Sequence, residues 1–126
     1  MSHSYRDLVV WREAKNLAID VYRLSEQFPR HEIYGLTSQL RRSAVSVVSN
    51  IAEGQGRLTK GEFIQFLGHS RGSLVELLTQ LEIAAELGYL STENFNTIIP
   101  KATAVLRLIN GLIGSMTTQS KAASAG

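Results

Sequence analysis

The sequence predicts an all-α domain, an antiparallel up-down-up-down four-helix bundle that assembles with further copies of itself. Three observations carry that prediction. Apolar residues recur in alternating steps of three and four through four separate segments. Glycine, proline and capping residues mark the breaks between them. The connections run to about two to eight residues, for which antiparallel neighbours are the economical arrangement.

The first segment runs from about Asp7 to Phe28, with Val10, Ala14, Leu17, Val21, Leu24 and Phe28 forming its seam. Pro29 interrupts it, because proline disfavours helical dihedrals at the residue before it and offers no amide donor. The second covers roughly Ile33 to Glu53 and carries two stripes, one through Leu36, Leu40, Ala44, Val47 and Ile51, the other through Val45, Val48 and Ala52. Two stripes mean more than one covered face. The β-branched run from Ser43 to Ser49 could suit a strand, but the helical period extends past it on both sides. Gly54 and Gly56 are expected to stop this helix, since glycine adopts the left-handed conformation cheaply.

The third segment opens on Thr59-Lys60-Gly61-Glu62, which fits a capping box. It continues through Phe63, Leu67, Ser70, Leu74, Leu77, Leu81 and Ala84 and ends at Gly88. The fourth starts near Ser91, a good N-cap residue, and runs along Phe95, Ile98, Ala102, Val105, Ile109, Leu112 and Met116. Pro100 lies inside it and removes the amide that would bond to Asn96, a loss worth ~3 kcal/mol in a helix interior. A kink is expected there, or a helix that begins properly only near Pro100. Residues 1–118 therefore form one domain, and 119–126 a flexible Ser/Ala-rich tail.

At 126 residues the chain can bury a core without disulfides or a metal. It has no cysteine, which removes a thiolate metal site and a thiol nucleophile and fits a reducing compartment. No stretch has the roughly 18 apolar residues a membrane span needs. Arg6 and Asp7 precede any apolar run, unlike a signal peptide. A cytoplasmic protein without membrane contact is expected.

Charge is unevenly spread. Residues 30–60 carry Arg30, Arg41, Arg42, Arg57 and Lys60 against Glu32 and Glu53; residues 61–90 carry Arg71 against Glu62, Glu76, Glu82 and Glu86. Such asymmetry binds an anionic partner, or pairs one helix with another within or between copies. Arg41, Arg42, Arg57, Lys60 and Arg71 are the candidate phosphate contacts for RNA or DNA. The competing reading pairs Arg41 and Arg42 with acidic groups of the third helix or of a neighbouring copy. Few aromatic residues lie off the seams, so stacking on single-stranded bases has little support.

Catalytic constellations are missing. None of His3, His31 and His69 follows a Glu at the Glu-x-x-His spacing of bundle di-metal centres. The serines sit in helical patterns rather than on a strained turn. Glu53-Gly54-Gln55-Gly56-Arg57 lacks the ending of a phosphate loop. The sequence implies no enzyme, no catalytic residue, no metal and no cofactor.

Self-association follows from two surpluses. Val45, Val48, Ile64, Val75, Leu78, Ile99, Leu106 and Ile113 lie off the main seams. Gly68 and Gly72 sit four apart in mid-helix, each costing about 1 kcal/mol relative to alanine. That cost makes sense where a second backbone approaches, which marks Gly68 and Gly72 as candidate interface residues. The alternative is a bulky neighbour within the chain, such as Trp11.

Taken together, Tyr5 to Trp11, Phe28-Pro29, Tyr34 to Ser46, Asn50-Ile51-Ala52-Glu53-Gly54, Glu62-Phe63, Leu67, Gly72-Ser73, Glu76, Gln80 and Leu87-Gly88-Tyr89-Leu90 resemble the four-helix-bundle proteins encoded in 23S rRNA intervening sequences. The resemblance spans about residues 5–115. Val48 stands where members commonly have a proline, which removes the reason for a kink in the second helix. The resemblance implies a homo-oligomer, a pentameric barrel, and a fold similar to the accessory variability proteins of diversity-generating retroelements, which partner nucleic acid and reverse transcriptase. It carries no catalytic residue across. Within the shared motif Trp11 is an anchor, Gly35 and Gly54 suit helix ends, and Asn50 and Glu53 can bond to backbone or to Arg41 and Arg42. The function expected is a non-enzymatic oligomer that binds structured RNA or DNA through a basic surface, or else a protein-interaction scaffold whose charges hold the oligomer together.

Overall fold

The apolar periodicity becomes four helices in a computed structural model that describes residues 4–125, with side chains through Thr118. They are α1 (Val9–Ser25), α2 (Leu36–Gln55), α3 (Lys60–Glu86) and α4 (Thr92–Ala125), with short 3-10 turns at Tyr5–Asp7 and Arg30–Glu32. No strand occurs among the described residues. The tail expected at 119–126 concerns side chains outside the described residues.

Each helix packs against two others, in the closed order α1–α2–α3–α4–α1, and α2 against α3 most extensively. Three contacts fix the α2–α3 register. The Ser46 and Ser73 hydroxyls lie 2.9 Å apart, the Ser70 hydroxyl donates to the Val47 carbonyl at 2.7 Å, and Gly54 abuts Phe66. Numbers rise along one helix as they fall along the other. Similarly, Arg41, near the start of α2, reaches Tyr22 and Ser25 at the end of α1. Lys101 of α4 meets Asp20 of α1 at 2.8 Å.

The seams become the core. Leu17, Leu40, Ile51, Leu74, Leu81 and Ile109 are among its fully buried members, with Trp11 and Phe95 packed at its margin. Burying such a side chain contributes about 1.5–3 kcal/mol, and this term holds the helices together.

Several boundaries differ from the periodicity. α1 stops at Ser25, because residues 26–28 are absorbed into the turn that brings Phe28 into the core. α2 begins at Leu36 rather than Ile33, since residues 33–35 form a turn that follows the 3-10 turn at Arg30–Glu32. It runs unbroken past Val48. Gly54 does not end it. Gly56 caps it with ordinary right-handed dihedrals, φ −81° and ψ −3°. Gly54 answers to packing instead: a Cβ there would stand 2.8 Å from the Phe66 Cβ and 3.0 Å from the Phe63 ring.

The α3 ends follow their signals. The Thr59 hydroxyl accepts the Glu62 amide and lies 3.2 Å from its carboxylate. At the far end Gly88 has φ +80°, while its amide bonds to Ala85 and that of Tyr89 to Ala84. That is the double bond of a left-handed glycine cap. α4 starts at Thr92, capped by the Ser91 hydroxyl, and carries the exposed Pro100 inside it. The late start near Pro100 does not occur. Pro100 removes a single amide donor, and the helix continues through it from Thr92.

Candidate functional site

The polar residues of the α2–α3 pair converge on one cleft. Gln39, Arg42, Ser43 and Ser46 of α2 face Ser73 and Glu76 of α3 around about 360 Å³ of open volume. Small side chains at Ser46, Ser70 and Ser73 let the two backbones approach, so hydroxyls replace apolar contacts along this seam. The Asn50 amide donates to the Ser46 carbonyl at 2.8 Å and to its hydroxyl at 3.0 Å. Ser46 and Ser73 together have two hydroxyl protons and use one between them, which leaves one O–H for the cleft.

Glu76 accepts the Gln80 amide at 3.3 Å. Arg42 is exposed, and no hydrogen bond or ion pair holds it among the described residues. Gln80 Oε1 and Thr37 Oγ1 are buried without a hydrogen-bond partner among the described residues.

The other predicted cations are scattered. Arg41 turns toward α1. Its Nε donates to the Ser25 hydroxyl at 2.8 Å, its Nη2 to the Tyr22 carbonyl at 3.2 Å, and its guanidinium stacks 4.7 Å from the Tyr22 ring. The Tyr22 carbonyl belongs to the last turn of α1, the negative end of that helix, so the position suits a cation. Arg57 pairs with Glu53 at 2.9 Å and Glu62 at 4.0 Å and lies 4.5 Å from the Phe66 ring. Lys60 stands beside it at the start of α3 and is exposed. Arg71 points to α4, where it donates to Asn110 at 3.1 Å. Arg41 and Arg42, adjacent in sequence, thus leave α2 on different sides. The five do not share a single face.

The acidic partners foreseen for Arg41 and Arg42 on α3 do not engage them. Arg41 is drawn instead to the Ser25 hydroxyl and the Tyr22 carbonyl, which sit within reach at the end of α1. Glu53 pairs with Arg57 in the turn after its helix, at more than half exposure, so it contributes little to stability. Trp11 is half-buried, with the Tyr5 ring edge-on at 5.0 Å and Lys15 above it at 5.3 Å. Gly35 is the N-cap of α2, and a Cβ there would meet Glu32 Oε1 at 2.6 Å. A Cβ at Gly68 or Gly72 would have nothing within 4 Å, so neither Trp11 nor another bulky group fills that space.

A second polar cluster ties the α1–α2 turn to the α3–α4 turn. Glu32 accepts the Leu36 amide at 3.1 Å and the Tyr89 hydroxyl at 3.0 Å, with His31 Nε2 3.3 Å from that hydroxyl. The Leu36 amide bond lowers the Glu32 carboxyl below its ordinary value, helped by the Tyr89 bond and least by His31, while desolvation opposes them. Tyr89 is raised, first by that hydrogen bond. Sequence reasoning missed this clasp and the roles of Ser46, Ser73 and Glu76. The signal for the cleft was serine and glutamine at inward positions of apolar stripes; a contact across 57 residues leaves no local signal.

No group of three or more His, Asp or Glu among the described residues could hold a metal ion. No described helix is long and apolar enough to cross a membrane.

Four helices around one apolar core, with a hydroxyl-lined cleft on one flank, define a small all-α helical-bundle protein. Its sequence matches the family model described as 23S rRNA-intervening sequence protein over residues 6–111, and the chain belongs to that family. A crystal structure of a protein of unknown function from the S23 ribosomal protein family of Bacteroides thetaiotaomicron shares the fold. That protein is 21% identical, with 84% of this chain and 96% of that one covered and a TM-score of 0.78. No curated protein matches the chain.

Proposed function

We propose that this protein is a non-enzymatic, cytoplasmic scaffold, an up-down-up-down bundle that works as a ring of copies and presents its polar surfaces to a partner. The observation that carries this reading is the outer face of α3. Gly61, Gly68 and Gly72 fall on one stripe at spacings of seven and four, and a side chain at any of them would meet open space. Two glycines in mid-helix weaken an isolated helix for no gain inside the chain. Exposed Val75 extends the same stripe. A second backbone lying against this face supplies the missing gain, and five copies is the number that the family resemblance implies. Light scattering on the purified protein tests it. A mass several times that of one chain, reduced by Gly68→Leu or Gly72→Leu, supports the scaffold; a single-chain mass at micromolar concentration overturns it.

A second reading adds nucleic acid as the partner. Arg42 favours it, being exposed and unpaired beside a spare hydroxyl donor; Arg57, Lys60 and Arg71 are the remaining exposed candidates. Titration against a structured RNA hairpin and a duplex DNA at about 50 and 200 mM salt tests it. Binding that falls steeply with salt and weakens in Arg42→Ala supports this reading, and no binding at the lower salt leaves a protein partner.

A further inference from the structure

The α2–α3 cleft holds two opposite charges that do not meet. Arg42 stands on one wall and Glu76 on the other, and no ion pair joins them. The register sets them level. Ser46 and Ser73 touch at 2.9 Å, and one turn away from that contact lie Arg42 on α2 and Glu76 on α3. Two turns away lie Gln39 and Gln80. The serine contact therefore closes one end of the cleft, the charges flank its middle, and the glutamines stand at its other end.

Glu76 is held in place. The Gln80 amide donates to it at 3.3 Å, and Gln80 is only 6% exposed, so the group that steadies the carboxylate is itself packed between the helices. An ionised carboxylate accepts only from the NH2 half of an amide, which fixes the Gln80 orientation and leaves its oxygen buried without a donor among the described residues. A buried unpaired acceptor costs free energy. Here that cost accompanies a carboxylate fixed opposite an unpaired guanidinium.

The groups around the cleft keep hydrogen-bonding capacity. Arg42 has all its N–H donors free, Glu76 accepts from Gln80 and has lone pairs left, and the Ser46–Ser73 pair retains an O–H. Donors with a positive charge thus face acceptors with a negative one. No apolar or aromatic side chain lines the space, so a nucleobase would find nothing to stack on. The volume of about 360 Å³ lies at the small end of ligand sites. A small molecule with a carboxylate and an ammonium close together complements both walls at once.

We propose that this cleft binds a free α-amino acid, its carboxylate held by Arg42 and the spare serine hydroxyl and its ammonium by Glu76. The scaffold reading is independent of this site and stands or falls on the mass of the assembly. A phosphate contact through Arg42 is also distinguishable, because a phosphate has no use for Glu76.

The test is titration of each standard L-amino acid into the purified full chain, followed by calorimetry and by backbone amide NMR shifts. The expected result is saturable binding of at least one of them, with Kd below about 1 mM. The shifts should centre on residues 39–46 of α2 and 73–80 of α3. The N-acetyl and the carboxamide derivatives of that amino acid, each lacking one charge, should bind about tenfold more weakly or worse. Arg42→Ala and Glu76→Gln should each weaken binding by a similar factor with an unchanged helical circular dichroism spectrum, since both side chains are exposed. No saturable binding, shifts centred elsewhere, or derivatives that bind as tightly as the free amino acid overturns the proposal. Inorganic phosphate that binds wild type and Glu76→Gln equally, and displaces the amino acid, makes this an anion site and overturns it too.

Discussion

The Tyr89 hydroxyl donates to the Glu32 carboxylate at 3.0 Å, joining the α1–α2 turn to the α3–α4 turn at one end of the bundle. The same carboxylate takes the Leu36 amide that opens α2. One side chain thus starts a helix and ties two turns, and the tie has a defined pH window. Glu32 is lowered in the folded chain, so its contribution is present above the ordinary carboxylate value of 4.5 and is lost as pH falls through the lower folded value. Tyr89 is raised, so its part is present below 10.0 and is lost as pH rises through the higher folded value. Glu32→Gln and Tyr89→Phe should each lower Tm by a few degrees at pH 7. The Glu32→Gln deficit should shrink in acid, which thermal melts at pH 7 and pH 3 check directly.

Gly54 and Gly68 should respond oppositely to alanine in the isolated fold. At Gly54 the new methyl meets Phe66 and Phe63, and the close approach of α2 and α3 must open, at about 1–3 kcal/mol. At Gly68 nothing stands in the way, and alanine should stabilise a single chain by about 1 kcal/mol. Urea midpoints at low concentration compare the two. If copies pack on the α3 face, raising the protein concentration should erase the Gly68→Ala gain.

Arg41 should matter to the fold rather than to a ligand. Its bonds to Ser25 and Tyr22 and its stacking on the Tyr22 ring call for a planar, forked group. Arg41→Lys should lose about 1–2 kcal/mol of unfolding free energy, and Arg42→Lys almost none. Denaturant titration of both variants checks this, and equal losses would refute the distinction.

In the core, Leu74 is fully buried, and Ser70, one turn before it, donates to the Val47 carbonyl at 2.7 Å. Leu74→Ala should cost about 2–5 kcal/mol through the cavity it leaves. Ser70→Ala should cost about 1 kcal/mol, since the carbonyl keeps its place in the helix ladder. Unfolding free energies from the same titration separate these two magnitudes.

Four helices, their approximate spans and nearly the whole apolar core were legible in the linear chain. A period of three and four residues is a local property, and burial of that stripe is the dominant favourable term, so neither needs tertiary information. Thr59, Gly88 and Ser91 were legible for the same reason, because a cap acts on backbone within one turn. Membership in the family was legible through its linear motifs. Relations between helices came from packing alone. Gly54 looked like a helix stop and proved to be a point of close approach to Phe66. Arg41 and Arg42, neighbours in the chain, were sent to different duties by the rotation of about 100° that one helical residue imposes. Ser46 and Ser73, 27 positions apart, became a hydrogen-bonded pair lining a cleft. Side-chain direction and long-range pairing depend on helix rotation and register, which are set by how whole faces pack rather than by any one residue's neighbours in sequence.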